Sequence, residues 1–502
     1  MTIKSLIDKS EELLKFIQEC LKPKDIEKKK YGEVFTPIKL VNEMLDKLPI
    51  EVWSDPELKW LDPANGMGNF PITIYYRLME GLKEVISNTE QRKKHILENM
   101  LYMSELNKKN CFITKQIFDI NNEYNLNIYE GNSLEMDTKE LWNIEKFDII
   151  IGNPPYQKNF ENNNGRVGGS SLWSEFINKF IDKLNNDKYL LFITPCSWMT
   201  GGSNKQSGNI LNGIMKKYTL LHLNIEECSK YFNVGSTFSY YLIKKSDDNI
   251  NFECIVKYNK KVYNSIIKQE DFKKLKVVPK LLSNETLSII NKFETIGTDK
   301  FNFLRLYDLD IRQTKRYNKT GKYNVRHKVV DIRNTDWEQE CMNKDKIVIS
   351  MPGYIKATYD KECGCSDATL FMYVKDEEYG NYLINLLNSK YYQFIINNYR
   401  ELTGLNNHKN INRLSICPKN KNINDYFNLS IEEINFLESF YDKKLIDNKS
   451  ISSTSETKKL KEDKICCNAI IKSTGLKCKN QAKYGEFCGS HKSKNIEIDS
   501  KK

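Results

Sequence analysis

Residues 57–196 predict an α/β domain with a largely parallel sheet, on two observations. Short apolar segments alternate there with helical stretches, and each apolar segment ends in a polar or Gly/Pro-rich turn. The four segments are LKWLDP, MLYMSEL, FDIIIGNPP and KYLLFITP. Ligands of open α/β sheets bind at the carboxyl ends of the strands, so the turns are where function is sought.

The remaining elements follow in chain order. MTIKSLIDKSEELLKF has the spacing of an amphipathic helix and lacks the apolar core of a signal peptide. After Tyr156, SSLWSEFINKFIDKL sets Leu172, Trp173, Phe176, Ile177, Phe180, Ile181 and Leu184 on one helical face, expected to be core. From about residue 250 the alternation fades, and lysines mix with tyrosines through IRQTKRYNKTGKYNVRHK, residues 311–328. Such a mixture is either a solvated face or a nucleic-acid contact. Residues 447–464, DNKSISSTSETKKLKEDK, have almost nothing apolar to bury and are expected to be a flexible linker.

At 502 residues the chain exceeds what one core usually serves, which predicts two or three domains. No uncharged apolar run approaches the roughly 18 residues of a membrane span, so an intracellular protein without a membrane partner is expected. Lys and Arg outnumber Asp and Glu 77 to 66, a net charge of +11 that favours a polyanionic partner. A Lys- and Asn-rich coding bias accounts for the same charge, so the motifs must decide. The thirteen cysteines are mostly scattered, which fits reduced thiols better than a disulfide framework.

Two turns carry chemistry. LDPANGMGNF, residues 61–70, follows a strand, and Gly66 and Gly68 let the backbone pass close to a ligand while Asp62 accepts from an amine or hydroxyl. Glu105, ending the next strand, is a carboxylate of the kind that binds a ribose diol. Asn153-Pro154-Pro155-Tyr156 brings together an amide oxygen, a backbone carbonyl freed from sheet pairing and an aromatic face. Asn153 Oδ1 and the Pro154 carbonyl can both accept from one planar exocyclic –NH2, and Tyr156 can stack on the ring that bears it. The prolines remove competing donors and stiffen the loop before substrate arrives.

With these motifs the sequence resembles the S-adenosylmethionine-dependent amino-methyltransferases, in particular γ-class DNA adenine-N6 methyltransferases with the motif order of type IIG restriction–modification enzymes. YGEVFTP, residues 31–37, looks like the family's N-terminal cofactor motif, which implies Phe35, Thr36 and Pro37 near the methionine end. DPANGMGNF matches its Gly-rich motif, implying cofactor contacts from Asp62, Ala64, Gly66 and Gly68. KHILENMLYMSELNKKN matches the strand whose acid, Glu105, takes the ribose. TPCSWMTGGSNK and KYFNVGSTFSYYLI follow in the family's order, which makes Phe232 the candidate second ring against a flipped base. One departure is Asn132 in GNSL, where the family has an acid beside the adenine ring; an asparagine accepts through its amide oxygen but carries no charge. The resemblance spans residues 30–245 and implies a Rossmann-like methyltransferase fold with a mixed, mainly parallel sheet.

Residues 381–418 resemble the end of the family's target-recognition domain. Their first half has amphipathic helical spacing, and TGLNNHKNIN offers Asn and Lys side chains to base edges. His408 within it is expected to be a loop residue. Near the C-terminus, Cys467, Cys478, Cys488 and His491 form a Cys-x10-Cys-x9-Cys-x2-His set suited to structural Zn2+, with Cys466 a substitute ligand. The segment also looks like a small zinc module found on varied nucleic-acid enzymes. Expected divisions are therefore an N-terminal helical segment (1–30), a catalytic domain (31–248), an α+β target-recognition domain (249–446), the linker (447–464), the zinc module (465–492) and a basic tail (493–502).

The expected activity is methylation of adenine N6 in double-stranded DNA. RNA methylation, protein-glutamine methylation and an inactive DNA-binding protein are the alternatives. About 200 residues of basic, aromatic-rich sequence beyond the catalytic part argue against a protein-glutamine enzyme. With only about 30 residues before Tyr31 and no nuclease motif elsewhere, modification without cleavage is expected, with a separate cognate endonuclease as a possible partner.

Overall fold

Nine strands form the main sheet: β1 (Trp60–Asp62), β2 (Leu101–Glu105), β3 (Asn127–Glu130), β4 (Phe147–Gly152), β5 (Leu184–Pro195), β6 (Thr219–Ile225), β7 (Phe238–Lys244), β8 (Phe252–Tyr258) and β9 (Lys261–Ile267). Their order is β3-β2-β1-β4-β5-β7-β6-β8-β9. The first five strands pair in parallel. β7 runs antiparallel between β5 and β6, β8 lies parallel to β6, and β9 closes an antiparallel hairpin. The sheet is thus mixed and mainly parallel, as expected. This computed structural model describes residues 6–9, 13, 36–156, 172–200, 210–232, 237–306, 321–399 and 405–441.

β1, β2 and all but one residue of β4 are buried, because helices cover both faces of a parallel sheet; that is why these strands read as continuous apolar runs. β3 (NIYE) is a half-exposed edge strand with no such run, and the apolar pattern passes over it. Helix α1 (Ile38–Leu45) starts directly after Pro37 and buries Leu40, Val41, Met44 and Leu45. Helix α2 (Asn69–Gly81) starts after Gly68, whose φ of 91° is left-handed. Helix α3 (Lys108–Phe118) is capped by Asn107, whose side chain accepts from Lys109 N at 3.1 Å, a cap worth about 1 kcal/mol. These helices share one apolar cluster with the sheet, including Leu40, Met44, Trp60, Ile74, Met103, Ile149 and Leu191. Burial of each such aliphatic side chain contributes about 1.5–3 kcal/mol.

Helix α4 (Leu172–Asp182) buries Trp173, Phe176, Ile177, Phe180 and Ile181, the expected face. Leu184 corrects the sequence reading: the helix stops at Asp182, and Leu184 is the first residue of β5, paired with Phe147. A buried residue just past a helix end falls on the helical period by coincidence of spacing. The main sheet also runs on past residue 248, since β8 and β9 hydrogen bond within it.

Beyond residue 267 the structure is α+β. Helix α5 (Asn284–Thr295) precedes, among the described residues, seven short strands: β10 (Leu304–Arg305), β11 (Tyr323–Lys328), β12 (Asp331–Thr335), β13 (Lys346–Ser350), β14 (Ala357–Asp360), β15 (Gly364–Cys365) and β16 (Thr369–Tyr373). They form two small sheets, β10-β16-β13-β14 and β12-β11-β15. The amphipathic stretch after residue 376 is two helices, α6 (Glu377–Asn388) and α7 (Lys390–Tyr399), broken at Ser389. His408 opens a single helical turn, His408–Ile411, rather than lying in a loop. The eight described cysteines are all buried and free. No helix among the described residues is long and apolar enough to cross a membrane.

Candidate active site

The strand order reverses between β1 and β4: β2 and β3 lie to one side, β5 to the other. Such a switch point opens a crevice at the carboxyl ends of the two strands. Asp62 ends β1 and Gly152 ends β4, and they touch. A Cβ on Gly152 would lie 2.8 Å from Asp62 Oδ1, so glycine is what lets the two motif-bearing turns meet.

In the first turn Asp62 is buried, and its Oδ1 accepts from Ala64 N at 3.0 Å. Burial pushes its carboxyl up to about 8; the nearby Glu105 charge adds to the rise and the Ala64 bond opposes it. Gly66 and Gly68 take φ of 57° and 91°, the left-handed turn that the motif requires. Glu105 accepts from Gly66 N at 2.7 Å and from Asn107 N at 2.7 Å, so it ties the Gly-rich loop to the end of β2. Asp62 Oδ2, Asn65 Oδ1 and Asn69 Oδ1 are buried without a hydrogen-bond partner among the described residues. Unsatisfied buried acceptors cost roughly 1–3 kcal/mol each, which a ligand bringing donors would offset.

The second turn is joined to the chain's N-terminal motif. Asn153 Nδ2 donates to Thr36 Oγ1 at 3.1 Å, and Asn69 Nδ2 donates to the Thr36 carbonyl at 2.8 Å. Thr36, just before α1, therefore links the Asn-Pro-Pro-Tyr turn to the first residue of α2. Tyr156 Oη donates to Asn153 Oδ1 at 2.6 Å, so the amide is held at both ends and its orientation is fixed. The sequence reading assigned Tyr156 a ring; the structure gives its hydroxyl a role as well. Burial raises that hydroxyl well above the ordinary tyrosine range.

Phe238 is the residue that sequence reasoning missed. Its ring is 5.2 Å from that of Tyr156 and 4.9 Å from that of Phe232, tilted by 41° and 46°. The two expected base-facing rings thus rest on one buried phenyl at the start of β7. Its place as an apolar residue opening a strand in KYFNVGSTFSYYLI was the available signal. Asn132 lies just past β3, where its Nδ2 donates to Glu135 Oε1 at 2.6 Å and its Oδ1 accepts from Leu134 N at 3.1 Å, closing a local turn. Pro154 is buried and Pro155 half-buried. Phe35 lies outside the described residues, as do Cys467, Cys478, Cys488 and His491. Among the described residues no group of three or more His, Cys, Asp or Glu side chains is placed to hold a metal ion.

Residues 83–232 match the Eco57I restriction-modification methylase family. An "Uncharacterized adenine-specific methylase" of Mycoplasma pneumoniae is 29% identical over 241 residues, covering 34% of this chain and 57% of that protein. The modification methylase CviBIII of Paramecium bursaria Chlorella virus NC1A is 31% identical over 173 residues, 34% of this chain and 38% of that protein. The matched stretches thus span 57% and 38% of these relatives' lengths. Among solved structures, the Type IIL restriction-modification enzyme MmeI in complex with DNA aligns with a TM-score of 0.52 at 11% identity, over 86% of this chain and 73% of that one. That likeness is one of fold.

Proposed function

We propose that this protein methylates the N6 amine of an adenine flipped out of double-stranded DNA, with S-adenosylmethionine as the methyl donor. The observation that carries the reading is the Asn153 amide, oriented by Thr36 and Tyr156, in a turn that meets Asp62 at the switch point of the sheet. The family match over residues 83–232 and the adenine-specific name of one relative support it.

S-adenosylmethionine supplies an electrophilic methyl on a sulfonium. On this reading the N6 lone pair forms the new N–C bond as the methyl–sulfur bond breaks, and N6 then loses one proton to solvent. Asn153 Oδ1 and the Pro154 carbonyl accept from the N6 hydrogens, which draws density onto nitrogen and turns its lone pair out of the ring plane. Pro155 stiffens the turn. Tyr156 and Phe232, supported by Phe238, face the base. Asp62 accepts from the donor's polar groups, Glu105 from its ribose hydroxyls, and the loop from Ala64 to Gly68 passes along it. Phe35, Thr36 and Pro37 serve the methionine end. The three buried acceptors without partners among the described residues fit a donor-rich ligand there. Asn132 completes the donor's surroundings beside the adenine ring, accepting through the second lone pair of Oδ1 while its Nδ2 and the Leu134 N bond hold its turn.

The region from β1 to β9 is the catalytic part on this reading, with target recognition after residue 267 and a Zn2+-stapled module at Cys467, Cys478, Cys488 and His491. The net charge of +11 suits a DNA partner. Purified protein with methyl-labelled donor is expected to label adenine in duplex DNA, read by sequencing methylated bases. Label found only in RNA or in a protein glutamine overturns the reading. Elemental analysis is expected to return one zinc per chain, and a chain ended at residue 446 is expected to lose that zinc while still folding and methylating. A zinc-free full-length protein refutes the module.

A further inference from the structure

Three loops beyond the span of the family match are drawn together around Ser350, at the end of β13. The turn between β11 and β12 reaches it through Val329 N, which donates to Ser350 Oγ at 3.1 Å. Asn406, buried, donates from Nδ2 to the carbonyls of Ser350 at 3.0 Å and Gly353 at 3.1 Å, and from its backbone N to Met351 O at 2.7 Å. Pro352 and Leu405 complete the join as a β-bridge. One asparagine thus holds the loop after β13 against the loop before the His408 turn, with the ribbon tip beside both.

What these loops expose does not suit a solvated surface. Val330 at the ribbon tip is 85% exposed, Ile332 beside it 49%, and Tyr354 at the tip of the clamped loop 51%. Lys328, Lys356 and Lys409, one on each loop, are exposed and have no ion pair among the described residues. An apolar centre on a hydrogen-bonded frame with one cation from each loop is built for a polyanion with an apolar interior. β11 and β12 form an antiparallel hairpin at the edge of the three-stranded sheet β12-β11-β15; β15 pairs only with Val325 and Arg326, so the tip from Lys328 to Asp331 runs on as two strands, and a two-stranded antiparallel tip enters the DNA major groove.

We propose that this three-loop cluster is the surface that reads the target sequence in duplex DNA. Val330 and Tyr354 make apolar contact in the groove, Lys328, Lys356 and Lys409 hold phosphates, and Asn406 sets the spacing between the loops without touching DNA. The proposal rests on the methyltransferase reading for its biological purpose, but the binding surface can be tested separately.

The test compares the full chain with Tyr354→Ala, Val330→Ser and a triple Lys328→Gln, Lys356→Gln, Lys409→Gln variant. All substituted side chains are exposed, and thermal unfolding checks that each variant folds. Binding is measured on a random-sequence duplex across salt concentrations, and methylated-base sequencing is run on DNA from expressing cells. The triple variant is expected to lower duplex affinity and reduce the salt slope by roughly 0.9 log unit for each phosphate no longer held. Tyr354→Ala and Val330→Ser are expected to leave that slope nearly unchanged. They should lower methylation of the preferred sites by about tenfold and relax the motif at one or two positions. Parent-like affinity, slope and motif in all three variants overturn the proposal and leave the surface to a protein contact, with the methyltransferase reading intact. Weakened duplex binding by the triple variant of a parent that transfers no methyl keeps the surface and overturns the activity instead.

Discussion

On the proposed reading, replacing Asn153 with alanine is expected to lower the rate of methyl transfer at least about a hundredfold, the loss that follows when one positioned polar group is removed from a developing charge. The amide sits in the turn after β4, restrained by Thr36 Oγ1 on one side and Tyr156 Oη on the other. Its geometry is therefore set before substrate arrives. Alanine removes the acceptor but leaves Asp62, Glu105 and the Gly-rich loop in place, so the affinity for S-adenosylhomocysteine stays near the parent value. Single-turnover kinetics and calorimetry separate the two. Tyr156→Phe keeps the ring on Phe238 and loses only one restraint, which places it between the parent and Asn153→Ala. A Tyr156→Phe loss as large as that of Asn153→Ala would move the essential contact from the amide to the hydroxyl.

The half proposed as catalytic was legible in the sequence because buried parallel strands announce themselves. β1, β2, β4 and β5 are apolar runs ending in turns, and the turns after β1 and β4 hold the proposed site. Their meeting was only partly legible. That Gly152 must be glycine because Asp62 Oδ1 lies against it depends on strand order, and strand order is set by helix crossovers far apart in sequence. Thr36 as the link between both turns, and Phe238 under both aromatic rings, depend likewise on tertiary packing. Edge strand β3 was missed because a half-exposed strand needs no apolar run. The C-terminal half was less legible still. Strands such as Leu304–Arg305 and Gly364–Cys365 are two residues long, too short for a periodicity to register. In TGLNN, read as direct groove contact, the described Asn406 spends its hydrogen bonds on the neighbouring loop.

Asp62 makes both the stability of the protein and its ligand affinity depend on pH. Its carboxyl is pushed up to about 8 from 3.8, first by burial and then by Glu105, against the bond from Ala64 N. The folded chain therefore holds a proton that the unfolded chain releases above about pH 4. Without ligand, stability falls as pH rises from there toward 8, because over that window the native state binds the extra proton. A ligand that donates to Asp62 reverses the balance, since it favours the carboxylate and expels the proton as it binds. The affinity for S-adenosylhomocysteine is thus expected to tighten by up to about tenfold per pH unit between roughly 6 and 7.5, one proton being released per ligand bound. Calorimetry in buffers of different ionisation enthalpy counts that proton directly. Asp62→Asn, which keeps the shape and an acceptor but cannot titrate, should bind about tenfold more weakly at pH 7.5 than the parent, with a flat profile: a charged hydrogen bond of about 3 kcal/mol is replaced by a neutral one of about 1 kcal/mol, less the roughly 0.8 kcal/mol the parent spends at that pH on ionising the carboxyl. A parent profile that is flat, or a slope that survives in Asp62→Asn, would show that another group titrates and that Asp62 stays outside the donor's contacts.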